Sequence, residues 1–175
     1  MSITWQPLTW ILFHIFALNY KEEYREKYII FFNSFKTIIP CSICREHYIK
    51  NINKENMNME NNINSKNIFD WTVKIHNNVN IKNNKKIWNF DEAKKFYQNY
   101  DFKNELLKIC LFEYIKSNYK KTPIKTTELI RMMQQLPYLH PNPEKRTKLI
   151  NFNEKFLLNR PSFKNWLVAF SLILK

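Results

Sequence analysis

Two cysteines separated by two residues are the first feature of this sequence that could carry out chemistry. Cys41 and Cys44 lie in the stretch PCSICREHY, directly after Pro40. Pro40 favours the end of one helix and the start of the next, which places the pair at a helix N-terminus. Free backbone N–H groups and the helix dipole stabilise a thiolate there, and sulfurs one turn apart can close as a disulfide. The pair therefore predicts either thiol–disulfide exchange or metal binding.

A zinc site is one interpretation of the cysteine pair. Cys41, Cys44, His47 and His76 could form a Cys2His2 ligand set, although its two halves lie further apart than in ordinary zinc fingers. A chain of 175 residues also does not need a metal in order to fold. A second interpretation is thioredoxin-like exchange. That fold places CxxC after a strand, whereas a long helical pattern precedes it here.

A third interpretation comes from aromatic and carboxamide residues at helical spacing. Planar rings stack on Trp, amides bind ring heteroatoms, and lysines pair with phosphates. Such residues suit FAD, whose isoalloxazine accepts two electrons from a dithiol. One helix face carries a Trp and a His four apart, and the stretch WTVKIHNNVN supplies an imidazole and two carboxamides, with lysines just beyond. The set comprises Trp10, His14, Trp71, His76, Asn77, Asn80, Lys82, Lys85, Lys86 and Trp88.

On these residues the sequence resembles the Erv/ALR family of FAD-linked sulfhydryl oxidases. WILFH matches the family's W-x-x-x-H, and Tyr20 matches the aromatic residue six positions after that histidine. CSIC with His47 matches C-x-x-C-x-x-H, and WTVKIHNNVN matches W-x-x-x-x-H-N-x-V-N. The order and the separations of these motifs also agree, over residues 5–100.

The resemblance implies an all-α fold. Residues 1–100 would form a four-helix bundle plus a short fifth helix that holds FAD, and residues 101–175 a C-terminal all-helical extension, an accessory domain of unknown role. Cys44 would be the sulfur next to the flavin, forming the charge-transfer thiolate, and Cys41 would exchange with the incoming dithiol. From resemblance and residue chemistry together, the expected FAD-binding residues are Trp10, His14, Tyr20, Cys44, His47, Trp71, His76, Asn77, Val79, Asn80, Lys82, Lys85 and Trp88.

The expected function is that of an FAD-dependent thiol oxidase without a metal. Disulfides would form in substrate proteins by dithiol exchange at Cys41–Cys44, and electrons would pass through FAD to O2, giving H2O2. The expected partners are a dithiol protein, for which a thioredoxin-like carrier is a candidate, O2, and a second copy of the chain in a homodimer. Two other hypotheses stay open, a Cys2His2 zinc-binding structural protein and a scaffold that has kept the oxidase fold without its activity.

The sequence also departs from the cellular members of the family. Phe90 stands where those members often carry a Cys, Pro7 stands near the place of an Arg, and there is no second CxxC. The single-CxxC form most resembles the oxidases of large DNA viruses. With no signal-peptide pattern at the N-terminus, we expect the host cytoplasm or a viral assembly site as its location, with packaging in the virion as a further expectation. Cys110, on an apolar helix face, is expected to be a buried structural thiol.

Composition excludes several other classes of protein. Glycine is absent, which disfavours tight hairpins, a Rossmann fingerprint and a P-loop, and requires Asn at helix C-caps. The net charge of +13 fits either an anionic partner or a Lys- and Asn-rich composition. Because the lysines are scattered and no nucleic-acid motif is present, we do not predict nucleic-acid binding. No apolar run reaches the ~18 residues of a membrane span.

Helices must position these residues, because no segment alternates as a strand would. The stretch 51–67 is polar and Asn-rich, and we interpret it as a connector. Ser65 is the expected cap of the helix that carries WTVKIHNNVN. Pro-bearing breaks are expected at 121–127, 136–143 and 159–161. The predicted helices are 4–19, 22–38, 41–51, 65–81, a short one near Asp91, 104–119, 126–136, 144–158 and 162–174.

Overall fold

The computed structural model of the chain describes residues 5–158 and 162–174. Every regular element in these ranges is helical, which confirms the all-α prediction. Two 3₁₀ turns, Glu22–Tyr24 and Glu55–Met57, lie between α-helices. The α-helices are α1 Trp5–Leu18, α2 Arg25–Ile38, α3 Ser42–Ile52, α4 Met59–Asn62, α5 Ile68–Lys82, α6 Phe90–Gln98, α7 Asn104–Asn118, α8 Pro123–Met133, α9 Leu136–Leu139, α10 Pro143–Leu158 and α11 Phe163–Ile173.

Aromatic side chains from α1 and α2 fill the centre of the bundle. The ring of Phe13 packs edge-on against Phe31, Phe32 and Phe35, with ring centroids 6.0, 4.9 and 4.7 Å away. All four rings are buried, and aromatic pairs in this geometry add about 0.5–1.5 kcal/mol each beyond the area they bury. Helices α3 and α5 complete the bundle, α3 against α2 and α5 against α1, and the short α6 lies against α1 and α5.

The helices after residue 100 pack directly on this bundle. Helix α7 lies against α1, α8 and α9 lie against α2, and α10 joins α9 to α11. The buried apolar side chains of both parts form one continuous core. The predicted boundary at residue 100 therefore crosses a shared core, and as a boundary between domains it stays a prediction.

Two buried polar contacts and one partly buried contact link the two parts of the chain. The hydroxyls of Thr9 and Tyr114 are 2.7 Å apart. Asn118 donates from Nδ2 to the carbonyl of Ile38, 2.8 Å away, at the last residue of α2. Arg146 donates from α10 to the carbonyl of Asn19, just past the end of α1, at 3.4 Å. Each contact gives a hydrogen-bond partner to a polar group that packing shields from water.

Some predicted helix boundaries were wrong, for local reasons. Helix α5 begins at Ile68 rather than at Ser65, because Asn64 Oδ1 accepts the N–H groups of Lys66 and Asn67 in a turn. Pro123 begins α8 rather than breaking the chain, because Thr122 caps the helix by accepting from the N–H of Lys125.

The other expected breaks have different outcomes. The segment 136–143 contains the single helical turn α9, Leu136–Leu139. The break expected at 159–161 lies outside the described residues. No helix among the described residues combines the length and the apolar character that crossing a bilayer requires.

Candidate active site

The cysteine pair lies where the sequence predicted it, at the start of α3. Cys41 is the N-cap residue, and its Sγ accepts the backbone N–H of Cys44 at 3.2 Å. The two sulfurs form a disulfide, with the Cα atoms 5.2 Å apart. Both cysteines are half-buried, whereas Ser42 and Ile43 between them are exposed, so the disulfide is accessible from outside. On reduction, the helix N-terminus favours the thiolate form of these sulfurs.

Gln6 connects the disulfide to α1. Its side-chain Nε2 donates to Cys44 Sγ at 3.5 Å. Gln6 is one helical turn before Trp10 on the same helix. The Cys44 sulfur therefore lies beside the N-terminal end of α1, in contact with the residue one turn before Trp10.

Trp10, His14 and His76 meet at the interface of α1 with α5. The indole of Trp10 stacks on the His76 imidazole, with centroids 4.3 Å apart and planes 5° from parallel. Nε2 of His14 is 3.0 Å from Nδ1 of His76, and Nδ1 of His14 is 2.9 Å from Oγ1 of Thr72. The structure thus brings together residues that the sequence places 62 positions apart.

Both imidazoles are neutral near pH 7. Burial, with a smaller contribution from His76, holds the pKa of His14 well below its usual value. Burial, with a smaller contribution from Lys85, lowers the pKa of His76 to about 4. A neutral imidazole carries one N–H donor and one bare acceptor nitrogen, so each ring here has a definite donor edge and acceptor edge.

Asn77 and Asn80 hold the loop after α5 in this structure. Asn77 accepts the Trp88 N–H at 2.9 Å and donates to the Trp88 carbonyl at 2.8 Å, and Asn80 donates to the Lys86 carbonyl at 2.8 Å. The helix ends with Asn84 at φ 51°, in the left-handed conformation that glycine usually supplies. The two carboxamides fix this loop, and their contact with a cofactor stays a prediction.

Trp71 lies in the core. Its ring is fully buried, its Nε1 donates to the Met57 carbonyl at 2.8 Å, and it packs edge-on against Phe32. The structure thus shows a packing role for this residue, and its predicted contact with a cofactor stays a prediction.

The phenol of Tyr20 donates to the Ile63 carbonyl at 3.4 Å, and burial raises the pKa of Tyr20 to about 12.

The other predicted cofactor residues surround this region at its surface. His47 on α3 and Val79 on α5 are half-buried, as is Trp88, over whose ring the Lys86 ammonium lies at 5.1 Å. Lys82, the last residue of α5, and Lys85, in the loop just after it, are exposed. Their ammonium groups are in water, where they can attract the anionic groups of a ligand.

Sequence reasoning missed three residues of this site. Gln6 and Thr72 each lie four positions before a residue that was singled out, Trp10 and His76, so helical spacing alone could have identified them. Tyr97 of α6 lies with its ring 4.4 Å from His14. No sequence spacing links α6 to α1, so this third contact depends on how α6 packs.

Zinc binding by this cluster is not favoured. Both thiols of Cys41 and Cys44 are used in the disulfide. In the ranges that the structure describes, no three His, Cys, Asp or Glu side chains are grouped so that they could hold a metal ion. The Cys2His2 set considered from the sequence is therefore not assembled.

The donor set fits a flavin dinucleotide. Among the described residues, no hydrogen bond is found for Nε2 of His76, so this ring nitrogen is available to a ligand. The half-buried indole of Trp10, the accessible disulfide beside Gln6, and the exposed Lys82 and Lys85 supply a ring surface, a redox partner and cationic groups. The site thus defines a helical protein with a redox disulfide beside an aromatic and imidazole cluster.

Comparison with known proteins identifies the family. The sequence profile described as the Erv1 / Alr family matches residues 7–101, more than half of the chain. The chain therefore belongs to the Erv1 / Alr family.

Individual relatives are viral proteins. A protein of Acanthamoeba polyphaga mimivirus, named a probable FAD-linked sulfhydryl oxidase, is 36% identical over 93 residues, which is 51% of this chain and 65% of the relative. The FAD-linked sulfhydryl oxidases of three African swine fever virus isolates are each 33% identical over 98 residues, covering 54% of this chain and 80% of the relative. No solved structure matches the chain significantly.

Proposed function

We propose that the protein is an FAD-dependent thiol oxidase that forms disulfides in protein substrates. The observation that carries this proposal is the accessible Cys41–Cys44 disulfide, which is hydrogen-bonded to Gln6 of α1, the helix that also carries Trp10 of the Trp10–His76 stack. Membership of the Erv1 / Alr family, whose viral relatives are named FAD-linked sulfhydryl oxidases, supports the same chemistry.

The chain's own cysteines perform the exchange. A substrate thiolate attacks Sγ of Cys41, which forms a substrate–Cys41 disulfide and releases Cys44 as a thiolate. The Gln6 N–H and the N-terminal dipole of α3 stabilise that negative charge. A second substrate thiolate then breaks the mixed disulfide, leaving an oxidised substrate and a reduced cysteine pair. FAD, when bound, would supply a two-electron acceptor for the reduced cysteine pair, with O2 as the final acceptor and H2O2 as the product.

The residues around Trp10 hold the cofactor in this proposal. Trp10 and His76 would supply a ring surface and a hydrogen-bonding edge, and the exposed Lys82 and Lys85 would pair with the phosphates. A thioredoxin-like carrier as substrate, a homodimer, and action in the cytoplasm of a virus-infected cell or in the virion belong to the same proposal. The lack of a second CxxC in these 175 residues supports the carrier, the viral relatives support the location, and the homodimer rests on the resemblance to the family.

An absorbance spectrum of the purified full-length protein tests this function. We expect a yellow protein whose flavin bands bleach when dithiothreitol is added without oxygen, and which consumes O2 and releases H2O2 in air. Cys44→Ala should keep the flavin and lose thiol turnover. A colourless protein that consumes no oxygen would instead support a scaffold that has kept the fold.

Cys110→Ala is the matched control for the cysteine variant. Cys110 is fully buried on α7, and burial raises the pKa of its thiol to about 12, so it is unreactive at neutral pH. Its replacement should leave thiol turnover unchanged. Equal loss of turnover in both variants would contradict the assignment of the exchange to the CxxC pair.

A further inference from the structure

Thr72 ends a chain of hydrogen bonds that runs through both buried histidines. Its side chain is fully buried, and its hydroxyl donates to the Phe69 carbonyl at 2.7 Å. A hydroxyl has one proton, and a carbonyl can only accept, so this contact uses the only donor that Thr72 has. The Thr72 oxygen must therefore accept from Nδ1 of His14, 2.9 Å away.

This geometry fixes the position of each proton along the chain. His14 is neutral, so a proton on Nδ1 leaves its Nε2 bare. The bare Nε2 must accept from Nδ1 of His76, at 3.0 Å. His76 is neutral too, so its own Nε2 carries no proton. If the Thr72 hydroxyl donated to Nδ1 of His14 instead, His14 would carry its proton on Nε2 and donate to Nδ1 of His76. His76 would then carry its own proton on Nε2, which would become a donor.

We propose that Thr72 is a positioning residue that sets the tautomer of His76, so that a bound ligand meets a hydrogen-bond acceptor there. The proposal rests on the proposed function only for the identity of that ligand, FAD, whose N–H and O–H groups can donate. The tautomers themselves are a property of this chain. They are set by three side chains and one carbonyl that are already in contact.

A histidine elsewhere in the chain provides an internal reference. Nδ1 of His140 accepts the Asn142 N–H at 3.2 Å, and its Nε2 donates to Asn104 Oδ1 at 3.0 Å. Burial lowers the pKa of His140 to about 4, so it is neutral as well. His140 therefore carries its proton on Nε2, opposite to the tautomer inferred for His14 and His76.

A threonine outside the site provides a matched control. Thr9 is also buried, donates to a carbonyl one turn back (Trp5, 2.8 Å), and contacts a second side chain, the Tyr114 hydroxyl, at 2.7 Å. Thr9→Val therefore removes a buried, hydrogen-bonded hydroxyl, as Thr72→Val does. The Thr9 side chain hydrogen-bonds to neither His14 nor His76.

Nitrogen-15 NMR of the full-length protein with labelled histidines tests the tautomers, because protonated and bare ring nitrogens resonate far apart. We expect Nδ1–H signals for His14 and His76 and an Nε2–H signal for His140. In Thr72→Val, an Nδ1–H of His14 would face a methyl group, so both histidines should change to Nε2–H. Thr72→Ser and Thr9→Val should keep the wild-type tautomers.

Flavin affinity supplies the second readout. Thr72→Val should bind FAD roughly tenfold more weakly, because a donor of the ligand would then face the N–H of His76. Thr72→Ser and Thr9→Val should bind it as the wild type does. Equal weakening in Thr72→Val and Thr9→Val would show a merely structural effect and overturn the proposal.

The two readouts separate this proposal from the proposed function. An Nε2–H on His76 in the wild type, or unchanged tautomers in Thr72→Val, would overturn the role of Thr72 even in an active oxidase. A wild-type protein with the expected tautomers but without affinity for FAD would overturn the proposed function, and the role of Thr72 in setting the His76 tautomer would stand.

Discussion

The two parts of the chain differ in how they use buried polar side chains. Before residue 100, His14, Thr72 and His76 bond to one another, side chain to side chain. Such a network gives each ring nitrogen a defined protonation state, which is a chemical property that a ligand can detect.

The C-terminal helices bury polar groups mainly to join elements, both through side-chain pairs, His140 with Asn104 and Trp166 with Asn153, and through main-chain carbonyls. Asn118 and Arg146 donate to main-chain carbonyls at the ends of α2 and α1. These contacts join helices without creating an accessible donor or acceptor. Burial and hydrogen bonding alone therefore do not mark a functional site. What marks it is a network that leaves one polar atom free at an accessible edge, as Nε2 of His76 is.

Two tryptophans give the largest expected contrast. Trp166 on α11 is buried, donates to Asn153 Oδ1 at 3.0 Å and stacks on Phe170. Trp166→Ala should lower the free energy of unfolding by about 3–5 kcal/mol through the cavity that it leaves. Trp10→Ala should cost less stability and weaken FAD binding roughly tenfold to a hundredfold, because the ring that stacks on His76 is lost.

Chemical denaturation and flavin titration of both variants check this contrast. Each variant is compared with the wild type under the same conditions. If Trp166→Ala also abolished flavin binding while the protein remained folded, the two parts of the chain would not be separable in function.

The same contrast shows how much of the molecule could be predicted from sequence. Apolar spacing predicted the bundle helices, and the family resemblance implied that Trp10, His14 and His76 belong to one site. The contact of Gln6 with Cys44 joins residues 38 positions apart, and that of Asn118 with Ile38 joins residues 80 apart. Such contacts depend on how helices pack, which local periodicity does not specify.

Acid should destabilise both parts through their neutral histidines. The pKa values of His76 and His140 fall from 6.5 to about 4 on folding, so the unfolded state binds more protons below pH 6.5. Stability is therefore complete above pH 6.5 and is lost as the pH falls towards 4. Each such group contributes up to about 1.4 kcal/mol per pH unit in that window.

Glutamine variants separate the two histidines. His140→Gln can keep both hydrogen bonds of the ring. It should reduce the slope of the free energy of unfolding against pH by the amount that one bound proton contributes. Flavin binding should not change. His76→Gln should reduce this slope similarly and also weaken FAD binding. Urea denaturation at several pH values between 4 and 7 measures the slopes. An unchanged slope in His140→Gln would contradict its assignment as a buried neutral group.

Two asparagines give a smaller contrast of the same kind. Asn118→Ala removes the donors to the carbonyls of Ile38 and Tyr114, and should lower the free energy of unfolding by about 1–2 kcal/mol. Asn77→Ala releases the backbone of Trp88 and should mainly weaken FAD binding. Thermal unfolding and flavin titration measure both effects. An Asn118→Ala protein with normal stability but weakened FAD binding would reverse the proposed division.

Exposed lysines should show the smallest effects. Lys85 lies in the loop just after α5, within the proposed cofactor site, and Lys121 is exposed in the turn just after α7. Removing one exposed charge changes stability little, so neither Ala variant should alter the unfolding midpoint measurably. Lys85→Ala should weaken FAD binding by a few fold, because one exposed charge interacts only weakly with a phosphate through water.

Salt concentration separates a charge effect from a packing effect in this last comparison. If Lys85 acts on the phosphates through its charge, the difference between Lys85→Ala and the wild type should shrink as salt screens it, with a Debye length of about 10 Å at 0.1 M. Lys121→Ala should match the wild type at every salt concentration. A salt-independent loss in Lys85→Ala would indicate that its side chain supports the loop fixed by Asn77 and Asn80, because packing contacts are not screened.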